Sequence, residues 1–149
     1  MKTVQRIVPV IFIITLLFAC KKDKVNNTPK DLEGGWELAE STVSITPTVT
    51  YPPGQGLKLT FDNGRYYYYD QGDLVKEGSF ITMEDSTVEQ STCHGNLADK
   101  FTRRIVFDND YSSNKVFFST ADGQLSLISG CFTVDGGQLK IYRRLYIID

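Results

Sequence analysis

Two strand-like runs, Leu57 to Asp62 and Arg65 to Asp70, are separated only by Asn63-Gly64. Asn-Gly accepts the positive φ angles of a type I′ turn, whose twist matches the antiparallel strands it joins. With those two residues as the loop, Phe61 pairs with Tyr66, Thr60 with Tyr67, Leu59 with Tyr68 and Lys58 with Tyr69. A period of two then puts Leu57, Leu59, Phe61, Tyr66 and Tyr68 on one apolar face, and leaves Tyr67 and Tyr69 with Lys58 and Thr60 on a mixed face. A lone hairpin is marginal in water, so the rest of the chain has to supply strands that cover the apolar face.

The flanking sequence offers them. Trp36 to Ile45 lacks Gly and Pro and reads as the first strand, with an alternation that slips near Ala39 as a bulge would make it. Thr46 to Gly56 holds three prolines and two glycines and reads as a long loop. Leu74 to Met83 is the next strand, and Thr87 to Thr92 a weaker one. Cys93-His94-Gly95-Asn96 breaks it, and the span to Lys100 is loop or a short helical turn. Phe101 to Asp108 resumes the alternation, with Phe101, Ile105 and Phe107 on one side and Arg103 in phase with them. Asp122-Gly123 joins Asn114–Thr120 to Gln124–Ser129, with Val116, Phe118, Leu125 and Leu127 on one face. Gly136-Gly137 joins Cys131–Val134 to Gln138–Ile147, matching Val134 to Leu139 and Phe132 to Ile141. Strands in series with short turns and no convincing helix predict an all-β fold. We expect an antiparallel up-and-down β-barrel of eight or nine strands, with an open two-sheet β-sandwich as the alternative.

The N-terminus carries a different kind of information. Lys2 and Arg6 precede an apolar run from Ile7 to Ala19, too short to span a bilayer as a helix but typical of an export signal. It ends in Leu17-Phe18-Ala19-Cys20, which resembles the lipobox of bacterial lipoproteins. That resemblance implies cleavage after Ala19 and acylation of Cys20 with diacylglyceryl and fatty-acyl (palmitate-type) chains, which together hold a protein on a membrane. The expected layout is a signal peptide over 1–19, a lipidated N-terminus and polar tether over 20–30, and a barrel over 31–149. The Lys-Lys-Asp after the cysteine resembles Bacteroidetes lipoproteins, and Lys21 directly after it resembles the pattern sent to the outer membrane, periplasmic or surface-facing. Loss of Lys2 and Arg6 from 16 basic residues leaves 14 against 18 acidic ones, a net charge near −4 that argues against nucleic acid as a partner.

Gly34-Gly35-Trp36 at the start of the first strand is similar to the Gly-x-Trp motif of the lipocalins and related barrels. Their usual companion is an arginine on the last strand that packs over the tryptophan at the closed end. Arg143, in phase with Leu139 and Ile141, is the expected cation-π partner, with Arg144 pointing outward. From about Asp31 to Tyr146 the chain resembles lipocalin-like domains of Bacteroidetes lipoproteins. The resemblance implies Gly34, Trp36 and Arg143 as barrel-closing scaffold.

Candidate chemistry is sparse. His94 is the sole histidine and stands beside Cys93, but neighbours on an extended chain point to opposite faces, which disfavours a nucleophile pair. Ligand spacing for a metal is absent, no cofactor motif is present, and Glu77, Glu84 and Asp85 have no fixed spacing, so no catalytic residues are assigned and the chain is not expected to be an enzyme. In an exported domain Cys93 and Cys131 are expected to form a disulfide, closing a loop of about 39 residues worth ~4 kcal/mol on the chain-entropy estimate.

Two functional readings remain. In the first, the anchored barrel binds a small apolar or amphiphilic ligand, with Leu59, Phe61, Tyr68, Phe80, Phe107, Phe118 and Leu127 as lining candidates and the loop from Thr46 to Gly56 over part of the mouth. Arg103 is either a strand-end residue or an inward cation for a ligand's carboxylate. In the second, the barrel is filled and serves as an interaction subunit, with Tyr67 and Tyr69 contacting an envelope protein or a glycan.

Overall fold

The structure, a computed structural model, describes residues 28–44, 46–88, 100–131 and 136–146. The expected leader, Cys20, Cys93 and His94 lie outside them. Among the described residues nine strands are present: β1 (Gly34–Val43), β2 (Val49–Thr50), β3 (Lys58–Asp62), β4 (Arg65–Asp70), β5 (Asp73–Glu84), β6 (Arg103–Phe107), β7 (Val116–Ala121), β8 (Gln124–Ser129) and β9 (Gln138–Leu145). They pair antiparallel in the order β2-β1-β3-β4-β5-β6-β7-β8-β9, and β9 returns to β1. That last pairing closes an up-and-down barrel of eight strands with β2 as an extra, and it excludes the open sandwich.

Local chemistry sets the register. Asn63 and Gly64, and again Asp122 and Gly123, sit at positive φ, and Phe61↔Tyr66 and Leu59↔Tyr68 pair across the first of these turns as the two-residue loop dictates. The slip near Ala39 is a bulge. Leu38 pairs with Tyr142, but the next pair is Glu40 with Ile141. The Pro-rich stretch after β1 is not all loop, since Val49 and Thr50 pair with Ser41 and Glu40 as β2.

Inward side chains form one core of Leu32, Trp36, Leu38, Leu59, Phe61, Tyr66, Phe80, Ile105, Phe118, Leu125, Leu127 and Tyr142. A second cluster lies outside the barrel wall, where Phe117, Ile128 and Leu139 face away from the first core and are covered by Val88 and Phe101. This outer cluster overturns three expectations. The described start of the expected Thr87–Thr92 strand is not a strand, because Thr87 is irregular and Val88 is helical and packed onto the wall. Phe101 precedes β6 and belongs to the outer cluster, not to the side of Ile105 and Phe107. The hairpin expected between Cys131–Val134 and β9 is replaced by direct pairing of β8 with β9, Ser129 opposite Gln138 and Ile128 opposite Leu139.

Asp85 fixes the segment that covers the outer wall. Its Oδ1 accepts from the Thr87 amide at 3.0 Å and hydroxyl at 2.5 Å, and its Oδ2 lies 2.9 Å from Lys115 Nζ and 3.7 Å from Arg104 Nη1. Burial pushes the Asp85 carboxyl up, but the hydrogen bonds from Thr87 and Lys115 outweigh it and hold the group down at about 2. A depressed folded-state value means the contribution to stability is complete above the unfolded-state value near 3.8 and is lost as pH falls through about 2. Denaturant midpoints measured from pH 5 to pH 2 should fall less steeply in Asp85→Asn than in the wild type, and parallel profiles would contradict this role.

Candidate ligand site

A barrel offers a ligand one of its two ends, and here one end is sealed. The chain crosses it from Thr28 to Glu33, with Gly64 N donating to Thr28 Oγ1 and the Leu32 and Glu33 amides donating to Pro29 O. Leu32 is fully buried beneath. Trp36 Nε1 donates to Leu32 O at 2.8 Å, and the Arg144 guanidinium lies 4.8 Å from the indole centroid while it donates to the carbonyls of Asp31 and Glu33. Gly34 has a φ of 113° and a Cβ there would stand 3.1 Å from Arg144 Nη2, so glycine at this place has a steric reason.

The expected assignment of the two arginines is therefore reversed. Arg144 stacks on Trp36, and Arg143 points outward to Glu37 and to Tyr51 O. The inward phase of β9 runs Lys140, Tyr142, Arg144, because Leu139 faces the outer cluster. Arg103 also serves the sealed end. Its Nη2 lies 2.7 Å from Asp31 Oδ2 and its guanidinium 4.4 Å from the Phe118 centroid. The Arg103 hydrogen bond is the main influence holding the Asp31 carboxyl below its usual range. An open depression of about 370 Å³ outside this end is lined by Asp31, Trp36, Thr120 and Arg144 among others. Asp31 and Arg144 there are already engaged with Arg103 and with the carbonyls of Asp31 and Glu33, so they offer a ligand little.

The interior above the seal is filled. Leu59, Phe61, Phe80, Phe118 and Leu127 are buried, and Phe61 meets Phe80 edge-on at 4.8 Å and stacks near Phe107 at 6.5 Å. Tyr66 packs edge-on against Phe107 at 4.8 Å and donates its hydroxyl to Asp108 Oδ2 at 2.7 Å. Burial, with that bond second, raises the Tyr66 phenol well above its ordinary value.

Toward the other end the burial lapses. Tyr51, Tyr68, Phe107 and Val116 pack on the core but are only partly buried, and so is Lys140. Among the described residues these partly exposed side chains form a layer, the cup, over Leu59, Leu127 and Tyr142. Of the eight expected lining residues, Tyr68 and Phe107 reach the cup, five form its filled base, and Arg103 is held at the sealed end. Tyr51, Lys140 and Tyr142 are further members that alternation assigned to a loop or to the wrong face. The Tyr68 and Tyr142 hydroxyls are 3.3 Å apart in this layer. Burial raises both phenols.

The long loop does not roof the cup. After β2, residues 52–56 swing over the outer wall, where Gly54 N donates to Glu37 Oε1 at 2.8 Å, and Leu57 rejoins the barrel by accepting from Leu38 N. On the outer face of β4, Tyr67 is half-buried under Arg65, whose Nε donates to its hydroxyl at 3.2 Å and whose Nη2 pairs with Glu77. Tyr69 is likewise half-buried. Cys131 is disulfide-bonded; Cys93, its expected partner, is not among the described residues. No cluster of three or more potential metal ligands occurs among the described residues. No protein-family model matches the chain, and no curated protein does either.

Proposed function

We propose that this chain is a lipid-anchored envelope protein, resembling the lipocalin-like lipoproteins, whose barrel binds a small apolar or amphiphilic ligand at its open end. The observation that carries the reading is the asymmetry between the ends. One is closed by Leu32, Trp36 and Arg144, with the indole N–H and the guanidinium both engaged, and the other leaves inward aromatic rings partly uncovered among the described residues. Thr28 lies at the sealed end, beside Gly64, so a tether running from an acylated Cys20 would join the barrel opposite its mouth and leave the cup free. The filled interior limits the ligand to something small.

Native mass spectrometry of the untagged chain, extracted from its own envelope in mild detergent, tests the ligand. A molecule that stays with the folded protein and leaves on denaturation is expected, and its repeated absence would count against the reading. The anchor has its own test. Radiolabelled palmitate should mark the wild type and not Cys20→Ser, and the variant should leave the membrane fraction; unchanged labelling of Cys20→Ser would refute lipidation at that cysteine.

A second reading has one specific observation in its favour. Val43 and Val49, and Leu74 and Val75 at the tip of the β4–β5 hairpin, are exposed around the open rim, at 42%, 52%, 49% and 59%. An apolar rim of this kind suits contact with another envelope component, with Tyr69 on the adjoining strand.

A further inference from the structure

Two lysines share the inward phase at the mouth. Lys140 stands two residues before Tyr142, whose ring is buried in the inner core, so alternation turns both the same way; its cross-strand partners are Ser41 and Leu127. On β5, Lys76 is opposite Tyr68, and its Nζ lies 5.5 Å from the centroid of the inward Tyr66 ring. Among the described residues neither amine forms an ion pair. Asp108, close by on the β6–β7 connection, is engaged by the Tyr66 hydroxyl and the Ser79 amide. Asp110 is taken up by Ser112 and Ser113. Asp70 and Asp73 lie at the β4–β5 tip without a bond to either lysine.

Two features of this layer ask for a negative oxygen. An ammonium partly withdrawn from water without a counter-charge is unfavourable, and burial indeed lowers the Lys140 amine from its ordinary value. Between them the Tyr68 and Tyr142 hydroxyls carry two protons and share one hydrogen bond, so one O–H remains able to donate. A neutral apolar ligand would satisfy neither group. A carboxylate satisfies both, by charge-assisted hydrogen bonds that are shorter and stronger than neutral ones.

Resting on the ligand-binding reading above, we propose that the cup takes a small carboxylate, its anionic head at Lys140 and the Tyr68–Tyr142 pair and its short apolar part against Tyr51, Phe107 and Val116. The filled base of Leu59, Phe61 and Phe118 excludes a long acyl chain. Lys76, across the mouth, adds positive potential at the opening.

The test compares octanoate with octanamide, equal in shape and different in charge, by titration calorimetry of the full chain in zwitterionic nanodiscs, with empty discs as the blank. Octanoate should bind about tenfold or more tightly than octanamide. Lys140→Met should abolish that preference, and Lys140→Arg should keep it, each variant being checked for wild-type thermal unfolding. Equal binding of the two probes by the wild type, or a preference retained in Lys140→Met, overturns the carboxylate assignment and leaves the ligand-binding reading standing. Failure of the wild type to bind either probe overturns both.

Discussion

Trp36→Ala should lower the stability of the barrel by about 3 to 5 kcal/mol, the usual range for truncating a fully buried aromatic side chain. The indole is 1% exposed and lies where β1, β3 and β9 meet, paired with Leu59 on one side and Arg144 on the other. Its loss would open a cavity, leave the Leu32 carbonyl without its 2.8 Å donor, and remove the ring that Arg144 covers at 4.8 Å. The segment from Thr28 to Glu33 would then be held by its hydrogen bonds at the rim and by the Asp31–Arg103 ion pair. Denaturant unfolding followed by far-ultraviolet circular dichroism measures the loss, and a change below about 1 kcal/mol would show that Trp36 does not hold the closed end. Because Trp36 is the single tryptophan, its emission also separates the two arginines. Arg144→Ala should shift the spectrum and cost about 1 kcal/mol, whereas Arg143→Ala should leave the spectrum in place.

That reversal of the arginines marks where the sequence stops being legible. The central hairpin could be read to the residue, because Asn63-Gly64 is a local instruction and a one-residue slip would turn Leu59, Phe61 and Tyr66 to solvent. The bulge at Ala39 was legible for the same reason, as a break in a period of two. Strand β9 has no such contrast between its faces. Leu139 is apolar because it meets Phe117 and Ile128 outside the wall, while the inward phase carries Lys140 and Arg144 on either side of Tyr142. A strand with an apolar neighbour on both faces hides its parity. The cup is hard to foresee for a related reason. Its members come from β4, β6, β7, β9 and the stretch after β2, and only closure of the barrel brings them to one end. Glu37 is the sharpest case, a carboxylate between Trp36 and Leu38 that alternation assigns to water.

Glu37 is instead 2% exposed, and Glu37→Ala should destabilise the protein by about 2 to 3 kcal/mol. Oε1 accepts the Gly54 amide at 2.8 Å, and Oε2 lies 3.6 Å from Arg143 Nε. Breaking a fully buried ion pair costs about 3 to 5 kcal/mol because a charge is stranded; here the stranded partner, Arg143, is 31% exposed and can reach water, which lowers the expectation. The excursion 52–56 leaves no room to settle elsewhere, since a Cβ on Gly56 would stand 2.1 Å from the Leu38 carbonyl oxygen. Glu37→Gln keeps an acceptor for Gly54 and should lose only about 1 kcal/mol. The readout that separates this role from general loosening is amide hydrogen exchange. Gly54 should lose protection in Glu37→Ala and keep it in Glu37→Gln, while Phe61 and Tyr66 in the central hairpin change little. The effect should reach the mouth as well. Arg143 donates to the carbonyl of Tyr51, and the Tyr51 ring is one wall of the cup, so freeing Arg143 from Glu37 loosens that wall. If the cup is the binding site, Glu37→Ala weakens octanoate binding without touching the ligand, and Glu37→Gln does so less; equal affinities in all three proteins would place the ligand away from Tyr51.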